Sequence, residues 1–474
     1  MPTDPRFYNE LCPADLRGLV TTPPPGPLGT ALLARLAAAE APAAHGIGRG
    51  QRPPVWARAH GSLVWDVDGN RYVDFSAGFG AAAIGHGHPQ VVAAVSDQVE
   101  VLVHGFGDVH PHQLRVELAE RLVALAPFPD ARVLFAQSGA EAVELALKTA
   151  QLTTGKPGVL AFLGGYHGQS WGALEVSGWE RFRAPFEGPA PAALHTRARW
   201  APYGRCTRCD LGLSYPACGM ACVREAGRLL ESAERRLGGV GAILVEPILG
   251  RGGDHVPPPE WLPAIADLAR RSGALLVADE IFTGLGRTGA LWASVGAGIT
   301  PDLLCVGKAL GGGFPLAAVL LRAGAAERWQ EYAPPSGETL HSSTFYAHPV
   351  ACRAALATLD VIANERLVER GESMGALLHA GLAQLAQAYP DLVREVRGKG
   401  MMAGLVLDGP RRVHDVVGAC LALGLILLPG GYEGDVLSFS PALTIDERQL
   451  AWGLSVLDHV LHERAPSHGA RVES

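Results

Sequence analysis

Residues 275–289 read LLVADEIFTGLGRTG. The opening run is apolar and strand-like, and Gly284-Leu-Gly286-Arg-Thr-Gly289 fits the G-x-G-x-x-G pattern of a dinucleotide-binding turn. Such a turn needs an acid about 20 positions after the glycines, and the nearest, Asp302, is too close. The acids Asp279 and Glu280 instead end the strand, before the glycines, where a dehydrogenase has no use for them. In an open parallel sheet, ligands sit beyond the carboxyl ends of the strands, so the residues ending the neighbouring strands decide the chemistry.

Outward from this stretch, between about 90 and 350, short apolar runs alternate with helical periods: RVLFAQ, GVLAFLG, GAILVEP, ALLVADE and LLCVGK. That alternation predicts an α/β fold, a mostly parallel sheet covered on both faces. Upstream, GSLVWDVDGNRYVDFSAG (61–78) alternates about Asp68-Gly69-Asn70 and predicts a hairpin. Residues 1 to about 60, with TTPPPGP at 21–27, read as an extended arm plus one helix over Thr30 to His45 lying on another surface. After HPVACRAALATLDVI comes a long helical stretch, then VREVRGKGMMAGLVLDG and DVLSFSPALTI as strands of a smaller α+β unit.

The ends of the runs are reactive. RVLFAQ leads into Ser138-Gly139-Ala140-Glu141, where small residues at a helix start leave N–H groups bare for a phosphate, although Ser followed by Glu is also an ordinary capping box. GVLAFLG leads into Gly165-Tyr166-His167-Gly168, an aromatic ring that either stacks on a flat ligand or packs in the core. GAILVEP carries Glu246, ALLVADE carries Asp279, and LLCVGK ends in Lys308. A lysine there is costly to bury unless it is neutralised or covalently used. A flat ring beside Tyr166, a phosphate on the Ser138 helix, an aspartate for a ring nitrogen and a lysine for an aldehyde together describe pyridoxal 5'-phosphate (PLP).

With LVWDVDGNRYVDFSAG, GHGHP, QSGAEAVELALKTA, GGYHG, VEPILGRGG, ADEIFTGLGRTG, VGKALGGGFPLAA, HSSTFYAHPVACRAALATL and VRGKGMMAG in order, residues 55 to 450 resemble the class III PLP-dependent aminotransferases of fold type I. These are the relatives of 4-aminobutyrate, ornithine and acetylornithine aminotransferases. The resemblance implies a transaminase moving an amino group from an amine or amino acid to a 2-oxo acid. Lys308 would hold the cofactor as a Schiff base and carry the proton, and Asp279 would pair with the ring nitrogen. Tyr166 and Ile281 would pack the two ring faces, and Ser138, Gly139 and Ala140 would hold the phosphate. Thr344 of a neighbouring subunit would join them, which implies a homodimer with shared active sites. Glu246 would orient groups near the cofactor, while His86, His88 and His167 read as structural. A racemase or epimerase of the same family would keep Lys308 and the cofactor, and a catalytically silent scaffold would lose Lys308 or Asp279; both are present.

Three positions depart from the family pattern. Phe282 stands where many members have Gln, and Arg251 replaces the second Glu of a stretch like EPIQGEGG. Ser438 stands where many members have an arginine that grips an α-carboxylate, leaving Arg251 as the nearest candidate for carboxylate recognition. RCTRCDLGLSYPACGMACV adds Cys206, Cys209, Cys218 and Cys222, either ligands for one structural zinc or a set of free thiols.

The whole chain sets the bounds. Its 474 residues, 48% hydrophobic and 18% charged, can bury one large or two medium cores. They divide as an N-terminal arm with part of a small domain (1–80), a large cofactor domain (81–350) and a C-terminal small domain (351–474). A net charge of −7 offers no footprint for nucleic acid. Arg35 and Glu40 in the Ala/Leu-rich stretch argue against a membrane span or signal peptide. Eight cysteines are too few for a disulfide scaffold, so the expected compartment is the cytoplasm.

Overall fold

The computed structural model describes residues 19–42, 52–187 and 197–465, with the side chains of 234 and 235 excepted. The N-terminal helix spans Pro27–Ala39, earlier than its Ala/Leu content suggested, because Pro27 presets the backbone of its first turn. The Asp68 carboxylate accepts from Leu28 N and Gly29 N, both at 2.8 Å, so the hairpin turn caps a helix 40 residues away. The arm before residue 19 and the end of the expected helix, 43–45, lie outside the described residues. Asp68→Ala should cost about 1 kcal/mol locally, as lost caps do. Faster amide exchange confined to Pro27–Ala39 would report it.

The hairpin joins β2 (Leu63–Asp66) to β3 (Arg71–Asp74), with β1 (Trp56–His60) antiparallel to β2. Asp66 closes its turn by accepting from Asp68 N and Asn70 N.

The large sheet holds β4 (Ala131–Ala136), β5 (Gly158–Phe162), β6 (Ala198–Ala201), β7 (Val240–Val245), β8 (Leu275–Asp279), β9 (Leu303–Val306) and β10 (Ala317–Arg322), in the order β4-β10-β9-β8-β7-β5-β6. From β9 to β6 it is parallel; β10 is antiparallel to both neighbours. Period-two alternation feeds both faces. Leu304 and Val306 of β9 join one core cluster, while Leu303 and Cys305 join another beneath the helix Gly139–Thr154.

A third sheet, ordered β11-β12-β15-β14, holds β11 (Val393–Lys399), β12 (Met402–Leu407), β14 (Leu428–Gly430) and β15 (Val436–Phe439). Between them β13 (Leu425–Ile426) pairs parallel to β3, which ties the N-terminal hairpin to the C-terminal third. The fold is mixed α/β with a large, mostly parallel sheet, as in fold type I.

The glycines of the opening stretch have a packing role. Gly286 and Gly289 have positive φ and lie against the helix Leu367–Ala388; a Cβ on them would meet Val368 Cα at 3.3 Å and Glu372 Cα at 3.1 Å. Glu280 is fully buried and accepts from Thr283 Oγ1, Ala293 N, Ser294 N and Ser294 Oγ, so it braces the same loop.

Candidate active site

Because β5, β7, β8 and β9 are parallel, their carboxyl ends open on one edge of the sheet. That edge gathers the loop 164–168 after β5, Glu246 after β7, Asp279 ending β8 and Lys308 two residues after β9. β4 runs the same way, since two antiparallel pairings separate it from β9, and it delivers Ser138.

Asp279 is almost wholly buried, and His167 Nδ1 donates to its Oδ2 at 2.7 Å. Its Oδ1 accepts from Ile281 N at 3.1 Å. Burial alone would lower the His167 pKa, but the hydrogen bond and charge of Asp279, with Glu246, outweigh it and raise it. His167 therefore belongs to the site although the sequence marked it only as structural. Its signal was its position directly after Tyr166, at the end of a strand two places from β8. His86 and His88 bond Asp74 and Glu365 instead.

Glu246 accepts from Tyr166 N at 2.7 Å and Gly250 N at 3.1 Å. It fastens the Tyr166 loop to the loop that carries Arg251. Burial raises its carboxyl above the ordinary range.

Lys308 follows a glycine and has φ of 41°, so the backbone turns sharply as the strand ends. Its Nζ lies 3.8 Å from the centre of the Phe282 ring. Phe282 thus sits beside the lysine amine, a placement that pattern reading could not supply. Burial pushes the amine down to about 8, against the pull of Asp279 and Glu246. Between pH 8 and 10.5 the unfolded chain keeps this proton while the folded chain has released it, so stability from Lys308 rises with pH there and is lost as pH falls through 8. In cofactor-free protein, Lys308→Met should flatten the rise of denaturation midpoint across that window. An identical rise in the variant would contradict the shift.

Ser138 caps the helix Gly139–Thr154, its Oγ accepting from Glu141 N at 3.2 Å. The capping and phosphate readings coexist, because the amides of Gly139 and Ala140 in the first turn have no intrahelical acceptor. Close approach is built in: a Cβ on Gly139 would meet Ile281 Cδ1 at 2.9 Å, and one on Gly168 would meet Ala140 Cβ at 2.5 Å. Thr344 is exposed, on a loop against Gly107. An amine, a carboxylate, an aromatic ring and a bare helix start on one sheet edge fit PLP, and Gly139 and Gly168 let Ile281 and Ala140 pack tightly around that helix start.

At the three departures the geometry is specific. The Arg251 guanidinium carbon lies 4.7 Å from the Tyr166 ring centre. Ser438 Oγ donates to Asp254 Oδ2 at 3.0 Å, so an acid faces this departure from the family pattern. Asp254 is buried, and burial pushes its carboxyl up against the hydrogen bond of Ser438 and the charge of Arg397.

The zinc expectation finds no support. Cys206, Cys209, Cys218 and Cys222 line one cavity of about 10 Å³, yet among the described residues no three His, Cys, Asp or Glu side chains are grouped to hold a metal. Burial, reinforced by the other three thiols, pushes Cys206 up to about 11.

Known proteins agree with this geometry. The class III aminotransferase family matches residues 47–461. The acetylornithine aminotransferase of Methanothermobacter thermautotrophicus is 36% identical over 413 residues, covering 87% of this chain and 95% of its own. The leucine/methionine racemase of Thermococcus litoralis is 34% identical over 418 residues, covering 86% and 90%. An amine transaminase from an uncultivated Pseudomonas species, solved in its PLP-bound form, superposes with a TM-score of 0.78 at 30% identity, covering 88% and 96%. The chain belongs to the class III aminotransferase family, enzymes that use PLP to move an amino group from an amine donor to a 2-oxo acid.

Proposed function

We propose that this transaminase takes its amino group from an amine remote from any α-carboxylate. The observation that carries the reading is the Ser438–Asp254 hydrogen bond. A carboxylate leaving water needs a charged partner, best a bidentate guanidinium, and at this position the chain offers a hydroxyl backed by an acid. PLP, when bound, supplies an electron sink for the substrate carbon. The protein's own residues do the rest. Lys308 holds the cofactor and moves the proton, and its lowered pKa makes the neutral amine more accessible near physiological pH than in an ordinary lysine. Asp279, steadied by His167, presents a fixed charge to the ring nitrogen. Tyr166 and Ile281 pack the ring, Glu246 holds the Tyr166 loop, and Ser138, Gly139 and Ala140 cradle the phosphate.

The measurement is the donor half-reaction with 4-aminobutyrate, ornithine, putrescine, alanine and glutamate. The ω-amines should react fastest. Fast use of glutamate that survives Arg251→Ala would overturn the proposal, because another residue would then hold the α-carboxylate. The similarity to a racemase keeps a second reading in play, and the acceptor separates the two. A transaminase stops after one turnover without a 2-oxo acid, whereas a racemase continues.

The proposal includes a homodimer. Val103, Phe106, Val109 and Phe345 are each more than half exposed near Thr344, and a patch of that kind is usually covered by a partner. Thr344 would then reach the neighbouring phosphate site. Sedimentation of a monomer at micromolar concentration would remove this part. It also includes a cytoplasmic location, on the cysteine usage; no described helix is long and apolar enough to cross a membrane. The four-cysteine loop enters as thiols, and one zinc per chain in protein prepared without chelator would reverse that.

A further inference from the structure

Arg251 does not stand alone. Its guanidinium lies over Tyr166 at 4.7 Å, Phe182 at 5.2 Å and Trp179 at 5.6 Å. Arg181, on the short helix Glu180–Arg183 that also carries Phe182, lies over the same Trp179 at 4.2 Å and Phe182 at 5.5 Å. Tyr432 closes the cluster edge-on to Trp179 at 5.2 Å. Two cations thus share one aromatic floor, which is continuous with the tyrosine of the cofactor loop.

Neither cation is neutralised. Among the described residues, neither Arg181 nor Arg251 makes an ion pair, while Glu433, the acid whose charge reaches Arg181, is committed to Arg205 at 3.6 Å and Arg208 at 3.2 Å. Burial, and after it the charge of Arg251, lower the Arg181 pKa, against the weaker pull of Tyr432 and Glu433. Stacking uses the flat face of a guanidinium and leaves its edge donors free, the geometry that receives a carboxylate in two parallel hydrogen bonds. The charge of Arg251 also reaches Lys308, which places that end of the cluster toward the reacting amine.

We infer that Arg181 and Arg251 together form a carboxylate subsite that takes the far-end carboxylate of an ω-amino acid donor. The inference rests on the ω-amine reading above and narrows it, since a diamine or amino sugar gives two guanidiniums nothing to bind. Arg181 is new to the site: it lies 70 residues from Arg251 and sits outside the stretches that carry the family resemblance.

The test runs the donor half-reaction of the holoenzyme without any 2-oxo acid, so that only the donor's carboxylate is read. The probes are 4-aminobutyrate and its uncharged amide, 4-aminobutanamide. The ratio of their single-turnover second-order rate constants should fall about tenfold or more in Arg181→Gln and in Arg251→Gln, and further in the double variant, the scale of losing a charge-assisted hydrogen bond. Glutarate, titrated calorimetrically into the holoenzyme, should lose affinity in the same variants. Arg181→Lys and Arg251→Lys guard against misfolding, because the ammonium keeps the charge without the planar fork, and a partial fall in the ratio is expected. Unchanged ratios and glutarate affinities in folded variants overturn the inference. So does a loss confined to the 2-oxoglutarate half-reaction, which would assign the pair to the acceptor. If the wild type converts no amine while both arginines still control glutarate binding, the subsite stands and the transaminase reading fails.

Discussion

Lys308→Ala should end turnover while leaving the fold and cofactor pocket in place. The lysine follows the end of a strand, so truncation removes a methylene stem and an amine that lies against the Phe282 ring. Nothing adjacent can take over the proton: His167 is bonded to Asp279, and Glu246 is engaged by two backbone amides. Loss of a positioned proton carrier alone costs about 10²–10⁴-fold, and loss of the covalent hold adds to it. Two measurements check this. Borohydride reduction of the wild type should fix the cofactor to the peptide containing Lys308, and a label on Lys399 would refute the assignment. Single-turnover rates in Lys308→Ala should fall by at least that range, with partial recovery by added methylamine, as expected if the missing part is an amine.

Asp279→Asn tests charge against shape. The amide keeps the side-chain volume, and its oxygen can still accept from Ile281 N or face His167. What it lacks is a fixed negative charge in a buried site. Preorganised charge of this kind is worth about 3 kcal/mol or more in a transition state, so kcat should fall at least about a hundredfold. The structure adds a readout independent of rate. The raised pKa of His167 depends on Asp279, so Asp279→Asn should bring it down as burial prevails. Titration of the His167 ring by NMR would show this. A variant that keeps most of its activity, or an unmoved His167, would remove Asp279 from the role.

Several parts of this arrangement were legible in the sequence because they are local. Ser138, Tyr166, Glu246, Asp279 and Lys308 each follow an apolar run, and a run that ends in a polar residue reports a strand end without knowledge of what lies beside it. The capping serine and the hairpin turn at Asp68-Gly69-Asn70 are local too, since their hydrogen bonds close within a few residues. Even the misleading glycines were a local match: G-x-G-x-x-G states that backbone must approach something closely, but not whether that is a pyrophosphate or the helix Leu367–Ala388.

Tertiary structure decided the rest. β6 is four residues long and β10 runs against its neighbours, and neither length nor direction is written in an apolar run. His167 meets Asp279 across 112 residues, Ser438 meets Asp254 across 184, and Arg181 shares Trp179 with Arg251 from beyond two strands of the large sheet. The four cysteines have spacing that suggests a metal, yet ligation depends on where the sulfurs point, and spacing does not encode that. The physical reason is common to all of these. Local sequence sets which backbone shape each segment prefers, through side-chain periodicity and turn chemistry. Strand order and packing then determine which distant side chains share a low-dielectric space, where a neighbouring charge changes what each one can do.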